Sequence, residues 1–493
     1  MLNGCSGEEG KEPSVRINFL YNLAYQVLVV VLPLISTPYL TRTLGATPLG
    51  VYSYTYSVAA LFALFGLLGV SNHGSRAVAL AADDDRERSR TFWTVYIGQL
   101  GCAVLVLLAY SIALGLGVFE YECIQTIWLL YLISVALDVN WYFFGVEKFK
   151  LTVTRNLIIK LATFVGMFVV VRGEGDLVPY CLLMSVGMLV SQVALWSFLL
   201  RDVRWVRPMR RDVFAHLKKS LILFVPVVAV SVYTVLDKVL LGSMAGADQT
   251  AFFDNALKVA SVPGLVVTAL GTVMLPHISR LVGRGKLDEA RRSLGDSFSA
   301  VSLATAYMGF GVASASLEFV PLYYGPGFAE CGPVMTILVL DVPFFAWANV
   351  TRTQYLIPNR RDKVYVTAVV CGAAANVVVN LAAIPFLGAL GAAMGTFCAE
   401  AMVCLVQLWG VRKELPLGQY LASSWGCFVV GAIACVMARL ASGPLGVLGG
   451  MAAFLGVVLV FTFVFVTISL IWYMSGLSGF PRETLKKISN RKA

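Results

Sequence analysis

The chain has 493 residues, of which 58% are hydrophobic and only 13% charged, and its mean hydropathy is +0.78. Soluble domains carry roughly 25% charged residues, so a soluble enzyme or regulator is excluded and a polytopic membrane protein is indicated. The formal charge of +10 needs no nucleic acid to explain it, because the basic residues follow a membrane-topology pattern.

In chain order, loops marked by charge or by Gly and Pro separate fourteen apolar segments of about 20 residues, each long enough to span a bilayer as a helix. Their limits are 17–40, 49–72, 92–115, 124–145, 152–171, 177–200, 220–243, 251–275, 294–320, 332–356, 364–386, 391–411, 418–438 and 447–475. The polar start contains Glu8, Glu9 and Glu12 and no small-residue cleavage site, so no removable signal peptide is expected. If that tail lies inside, 32 of the 38 Lys and Arg fall on the inner side. Arg42, Arg172 and Arg439 fall outside, while Lys160, Lys238 and Lys258 fall within spans. This bias predicts an inner-membrane protein with both termini cytoplasmic. The outer loops Gly115 to Glu122, Ser243 to Thr250 and Phe386 to Leu390 leave no room for an external domain.

A shift of 201 residues aligns Leu44-Gly-Ala-Thr-Pro-Leu-Gly-Val-Tyr52 with Ala245-Gly-Ala-Asp-Gln-Thr-Ala-Phe-Phe253, the turn after the first span of each half. Six spans separate the copies, which implies two six-helix bundles related by a pseudo-twofold along the membrane normal. The expected organisation is a cytoplasmic tail 1–16, a bundle 17–200, a basic cytoplasmic linker 201–219, a second bundle 220–411, two additional helices 412–475, and a basic cytoplasmic tail 476–493. The fold class is therefore all-α and polytopic, with about fourteen transmembrane helices.

Signatures of catalysis are weak. Asp83-Asp84-Asp85 resembles a metal-binding D-x-D but sits in a short basic loop, and Gly283-Arg-Gly-Lys286 fails the spacing of a P-loop. The ten cysteines are scattered, mostly in apolar runs, and read as small apolar residues; Cys123 and Cys331 could face the same outer side. No metal or organic cofactor is expected, and a transport step would draw on a gradient, with H+ or Na+ as the coupling ion.

Charges inside spans are the positive signal, because each costs roughly 2.5–3.5 kcal/mol near a helix centre. In span 4 Asp138 and Tyr142 share a face, and Lys160 of span 5 lies at a depth suited to pair with Asp138. Span 7 carries Asp237 and Lys238, which as neighbours point about 100° apart and cannot satisfy each other. Lys238 could instead snorkel to the outer surface. Asp254 and Lys258 of span 8 are spaced for a pair within the helix, and Glu400 sits near the middle of span 12. Asn18 and Asn22 open an amide stripe on span 1, suited either to a wet face or to bonds between helices. His73 and Arg76 close span 2, and Arg352 and Tyr355 lie near the inner end of span 10.

Six blocks carry a family resemblance: Arg16-Ile-Asn-Phe-Leu-Tyr-Asn-Leu-Ala-Tyr-Gln26, Leu34-Ile-Ser-Thr-Pro-Tyr-Leu-Thr-Arg-Thr-Leu-Gly45, Gly50-Val-Tyr-Ser-Tyr54, Gly69-Val-Ser-Asn-His-Gly-Ser-Arg76, Asp138-Val-Asn-Trp-Tyr-Phe-Phe-Gly-Val-Glu147 and Leu236-Asp-Lys-Val-Leu-Leu-Gly242. Together they resemble Wzx-type flippases of lipid-linked oligosaccharides, in the multidrug/oligosaccharidyl-lipid/polysaccharide exporter superfamily. The chain departs from the usual pattern at Gly145, where members often have Gln, and at Asp254, where Glu is common. The resemblance implies alternating-access translocation of undecaprenyl-diphosphate-linked O-antigen or capsule repeat units. A polymerase and glycosyltransferases of the same pathway, together with membrane lipids, would be its partners. For such a substrate Arg76, Lys160, Lys238, Lys258 and Arg352 are candidate phosphate ligands. Asn18, Asn22, Tyr142 and Tyr355 are candidate sugar ligands, and Asp138, Asp237 and Glu400 are candidate ion-coupling or structural acids. A lipid II flippase, a cation-coupled multidrug antiporter of the same fold, and a membrane polysaccharide polymerase or ligase are the alternatives.

Overall fold

The computed structural model describes residues 31–447 and 449–474, and these are helical throughout, joined by short turns. The helices are α1 (residues 31–43), α2 (Ala46–Leu67), α3 (Val70–Leu80), α4 (Asp85–Gly115), α5 (Glu122–Ala136), α6 (Asn140–Gly145), α7 (Phe149–Val170), α8 (Leu177–Asp202) and α9 (Arg210–Ala245). They continue as α10 (Ala247–Ala260), α11 (Val262–Gly283), α12 (Leu287–Tyr323), α13 (Cys331–Val339), α14 (Val342–Thr351), α15 (Asp362–Leu387), α16 (Ala389–Val411), α17 (Leu417–Gly446) and α18 (Gly450–Met474). Among the described residues, 13 helices or in-line helix pairs are long and apolar enough to cross a membrane. The all-α, multi-pass expectation is borne out; the first expected span lies largely outside the described residues.

Four spans read as continuous helices are broken. In span 2 the chain turns at Leu68 (φ 47°) and Gly69 (φ 73°) between α2 and α3. Span 4 splits into α5 and α6 because Asp138 Oδ1 accepts the backbone N–H of Asn140 at 2.8 Å and its Nδ2 at 2.7 Å, a local bond that competes with the helical ladder. Span 8 starts earlier than expected, as α10, and breaks at Ser261 just before Pro263. Span 10 breaks between α13 and α14 at Leu340 and Asp341, before Pro343, and then winds into a π-helical turn at Arg352–Leu356. Proline has no N–H to continue a helix, so both proline sites become helix starts.

The contacts divide the chain into two compact units, one of Phe62–Phe224 with the residues up to Ser36, the other of Thr37–Leu61 with Val225 onward. Helices α1, α2 and α9 therefore each contribute to both. Lipid tails are as apolar as leucine, so these units are held by close packing and polar bonds rather than by exclusion from water. In the first unit Phe92 stacks on Trp141 at 5.4 Å and meets Tyr142 edge-on, in a cluster with Tyr96 and Phe143. In the second, Phe298 stacks on Tyr420 at 5.6 Å beside Trp347, and Val457, Phe461 and Phe465 bind α18 to α12 and α17.

The three basic residues expected outside all have structural partners. The Arg439 guanidinium spans both Glu318 carboxylate oxygens at 2.9 and 3.0 Å and also donates to Ala313 O. Arg42 donates to Leu322 O at 2.5 Å, and Arg172 Nε to Val169 O at 3.2 Å. Cys123 and Cys331 are both free, and the Cys331 thiol donates to Phe252 O.

Within the second unit Gly50 of α2 lies so close to α10 that a Cβ there would sit 1.8 Å from Ala247 O. Backbone cannot retreat as a side-chain tip can. Gly50→Ala is expected to destabilise the folded protein by about 1–3 kcal/mol, seen as a lowered melting temperature in detergent. Gly101→Ala, with nothing within 4 Å of the added methyl, should be neutral or slightly stabilising.

Candidate functional site

Each unit holds a cavity among its spanning helices, lined mostly by apolar side chains with a few charged and polar groups. The first unit holds one of about 450 Å³ among α1, α5, α7 and α8, with Asp138, Asn156, Lys160 and Gln192 on its wall. The helix break described above delivers Asp138 to this wall. Lys160 sits midway along α7, about as deep as a residue of that helix can be. The expected Asp138–Lys160 ion pair is not formed: Asp138 is bonded to Asn140, and the two charges share the cavity instead. Behind the wall the Arg155 guanidinium is buried. It donates to Ser191 O at 2.6 Å, Asn156 Oδ1 at 2.6 Å and Asn140 Oδ1 at 2.8 Å.

The second unit holds a cavity of about 250 Å³ lined by three acids, Asp237, Asp341 and Glu400, with Thr396, Phe253 and Phe345. Asp237 is 1% exposed. Its Oδ1 accepts Asn380 Nδ2 at 2.7 Å and its Oδ2 accepts Thr396 Oγ1 at 2.8 Å. Asn380 also donates to Asn376 Oδ1 at 3.2 Å, while Asn380 Oδ1 and Asn376 Nδ2 are buried without a partner. The bonds exist because α15 and α16 approach closely: a Cβ on Gly395 would fall 1.9 Å from Asn380 Oδ1. Glu400 is 9% exposed.

The cations of span 7 and span 8 meet on one acid. Asp254 accepts Lys238 Nζ at 2.7 Å and Lys258 Nζ at 3.0 Å, and Lys258 also donates to Asn255 Oδ1. Lys238 therefore pairs across helices instead of snorkelling, and the Asp254–Lys258 pair exists but is shared. The triad keeps one positive charge in excess.

The remaining candidates are dispersed. Arg76 is exposed in the second half of α3. Tyr142 is fully buried in the aromatic cluster around Phe92 and does not line the cavity. Arg352 opens the π turn with its guanidinium 5.6 Å from the Tyr365 ring, and Tyr355 donates to Glu414 Oε2 at 2.5 Å. Asn18 and Asn22 lie outside the described residues. The Asp83–Asp85 run is structural: Asp84 caps α4 through the N–H groups of Arg86 and Glu87, and Asp85 pairs with Arg88. The amides of Glu87 and Arg86 hold the Asp84 carboxyl below its usual range.

Three features escaped the sequence reading. Asp341 had a signal, an acid two residues before a proline within an apolar run, and it stands 203 residues after Asp138 at a matching helix break. The Asp237–Asn380–Thr396 network joins residues far apart in the chain and had none. Nor had the contact of His73 Nε2 with His216 Nδ1 at 2.9 Å between α3 and α9.

Among solved structures, the fold resembles the lipid II flippase MurJ in an inward closed conformation. The TM-score is 0.73 at 16% identity, covering 93% of this chain and 99% of that one. An inward-facing multidrug-resistance transporter of the MATE family gives 0.58 at 14% identity, covering 80% and 94%. A Shigella dysenteriae protein provisionally named as an O-antigen transporter is 24% identical over 391 residues, covering 77% of this chain and 96% of the relative. Its namesake in Escherichia coli K12 is 21% identical over 408 residues, 81% and 97% of the two chains. The class these define is a multi-pass membrane protein with the fold shared by the flippase and the multidrug-resistance transporter. The chain belongs to the polysaccharide biosynthesis protein family, whose profile matches residues 15–282, and the expected Wzx-type membership is borne out.

The histidine contact makes a pH prediction. Burial, reinforced by Lys219, holds the His216 imidazole below its ordinary pKa of 6.5, against a weaker opposite pull from Asp212. The folded protein thus binds fewer protons here than the unfolded chain, and stability is lost as pH falls below about 6.5. Melting temperature should drop from pH 7.5 to 5.5, and His216→Asn should flatten that slope. An unchanged slope would remove His216 as its source.

Proposed function

We propose that the protein flips undecaprenyl-diphosphate-linked oligosaccharide repeat units across the bacterial inner membrane by alternating access, supplying O-antigen, capsule or exopolysaccharide assembly. The match with O-antigen transporters over nearly their whole length carries this reading. Two cavities that carry charged and amide groups among the spanning helices, and a net-positive Lys238–Asp254–Lys258 triad, suit a carrier that must move sugars and a diphosphate through hydrocarbon. Both termini are proposed to lie in the cytoplasm, with glycosyltransferases supplying the substrate on that side and a polymerase consuming it on the other. Lys238, Lys258, Arg76 and Arg352 are proposed to meet the diphosphate along its path. Tyr355, Tyr142, Asn18 and Asn22 are proposed to serve the sugar path directly or through packing.

Coupling is assigned to the second unit. A carboxylate buried at 1% exposure, with only neutral hydrogen-bond partners among the described residues, favours a proton or a Na+ ion beside it. Asp237 is the primary acid, Glu400 the second, and Asp138 serves the first unit. No other cofactor is required.

A strain without the protein should lose surface polysaccharide and accumulate lipid-linked repeat units. Proteoliposomes should move labelled lipid-linked oligosaccharide in response to a pH or Na+ gradient. Asp237→Asn should insert normally but lower gradient-driven flipping at least tenfold, about 1.4 kcal/mol. Normal surface glycan in the deletion strain would overturn the function, and normal driven flipping in Asp237→Asn would remove that residue from coupling.

A further inference from the structure

The cavity of the first unit is chemically unlike a diphosphate site. Its wall carries one acid, Asp138, and one cation, Lys160, among the described lining residues, and the buried Arg155 guanidinium stands directly behind it, bonded to Asn140 and Asn156, so these charges sum to a single positive one. A diphosphate diester brings about two negative charges, so one of them would be left without a cation, in a region where an uncompensated charge is costly. Its volume of about 450 Å³ lies within the roughly 300–1,000 Å³ usual for small-molecule sites.

The wall is also oriented in advance. Arg155 donates to Asn156 Oδ1, which fixes that amide with its Nδ2 as the remaining donor. Asn140 Nδ2 reaches Gln192 Oε1 at 3.4 Å, which likewise leaves Gln192 Nε2. Asn140 engages Asp138 twice through Oδ1, leaving Oδ2 as an acceptor. Asp138 Oδ2, Asn156 Nδ2 and Gln192 Nε2 have no protein partner among the described residues, and each belongs to a residue of the cavity wall. Tyr131 and Tyr180 add aromatic faces to the same wall. One anionic acceptor, two amide donors, an ammonium and two aromatic rings make a set matched to a polyhydroxylated ring, whose hydroxyls both donate and accept and whose C–H face packs on aromatics. A bulk lipid tail would use none of the polar groups.

We propose that this cavity, built by Asp138, Asn156, Lys160 and Gln192 and braced by Arg155 and Asn140, is a saccharide subsite. It binds a neutral or singly charged sugar of the repeat unit and leaves the diphosphate to cations elsewhere. Arg155 and Asn140 are positioning residues here, and Lys160 serves a sugar oxygen or a single sugar carboxylate. The inference rests on the flippase reading and deepens it.

The test uses the full chain purified in detergent. One probe is the phosphate-free oligosaccharide released by mild acid from the cell's own lipid-linked precursors; the other is inorganic pyrophosphate. The saccharide should bind the unaltered protein, and Asn156→Ala/Gln192→Ala should raise its Kd at least about tenfold with pyrophosphate binding unchanged. Equal saccharide affinity in that variant would overturn the assignment. So would pyrophosphate that displaces the saccharide from the unaltered protein but not from Lys160→Met. If the double variant does not fold, Met188→Trp fills the cavity from its apolar side and should abolish saccharide binding; retained binding in the folded variant overturns the subsite. Cells separate the two levels of the reading. Normal surface polysaccharide on deletion sinks the flippase function itself, whereas a strain that depends on the protein yet tolerates Asn156→Ala/Gln192→Ala sinks only the subsite.

Discussion

A helix that breaks within hydrocarbon must find new partners for the backbone groups it frees, because no water is there to take them. This constraint organises the protein. Four spans break, and the freed geometry is used rather than hidden. At the α5–α6 break Asp138 bonds the backbone of Asn140 and reaches a cavity wall; at the α13–α14 break Asp341 reaches another. The two breaks fall six spans apart in chain order. In both units an acid at an interrupted helix puts a carboxyl group on the wall of a mostly apolar cavity.

The charges in hydrocarbon are handled by three different arrangements. Asp254 is shared by two lysines, so three charges reduce to one. Asp237 has neutral donors, an amide and a hydroxyl, which stabilise a carboxylate without cancelling it. Glu400 has neither arrangement among the described residues and faces a cavity. Neutral solvation of a buried carboxylate keeps it responsive to a mobile cation, whereas the Asp254 arrangement holds its charges in place. That difference separates the acids suited to coupling from the one suited to structure.

The basic residues show how one sequence signal covers several physical causes. Most Lys and Arg lie on the side expected inside, where topology alone accounts for them. The three expected outside are bonded: Arg439 to Glu318, Arg42 to a helix-end carbonyl and Arg172 to Val169 O. Arg439 joins α17 to α12 within the second unit.

By itself the sequence determined the membrane class, the approximate limits of the described spans and the family. These depend on the length and apolarity of single segments and on short blocks of residues, which are local properties. It also marked most of the buried charges, since a Lys or Asp in an apolar run stands out without any knowledge of neighbours. Only the tertiary structure decided what each charge does. Lys160 and Asp138 share a cavity without pairing, Tyr142 lies in an aromatic core, and Asp237 meets residues 143 and 159 positions away. Partners across helices are set by which faces meet and how closely glycine lets them approach. That information is spread over distant segments, and no single stretch of the chain contains it.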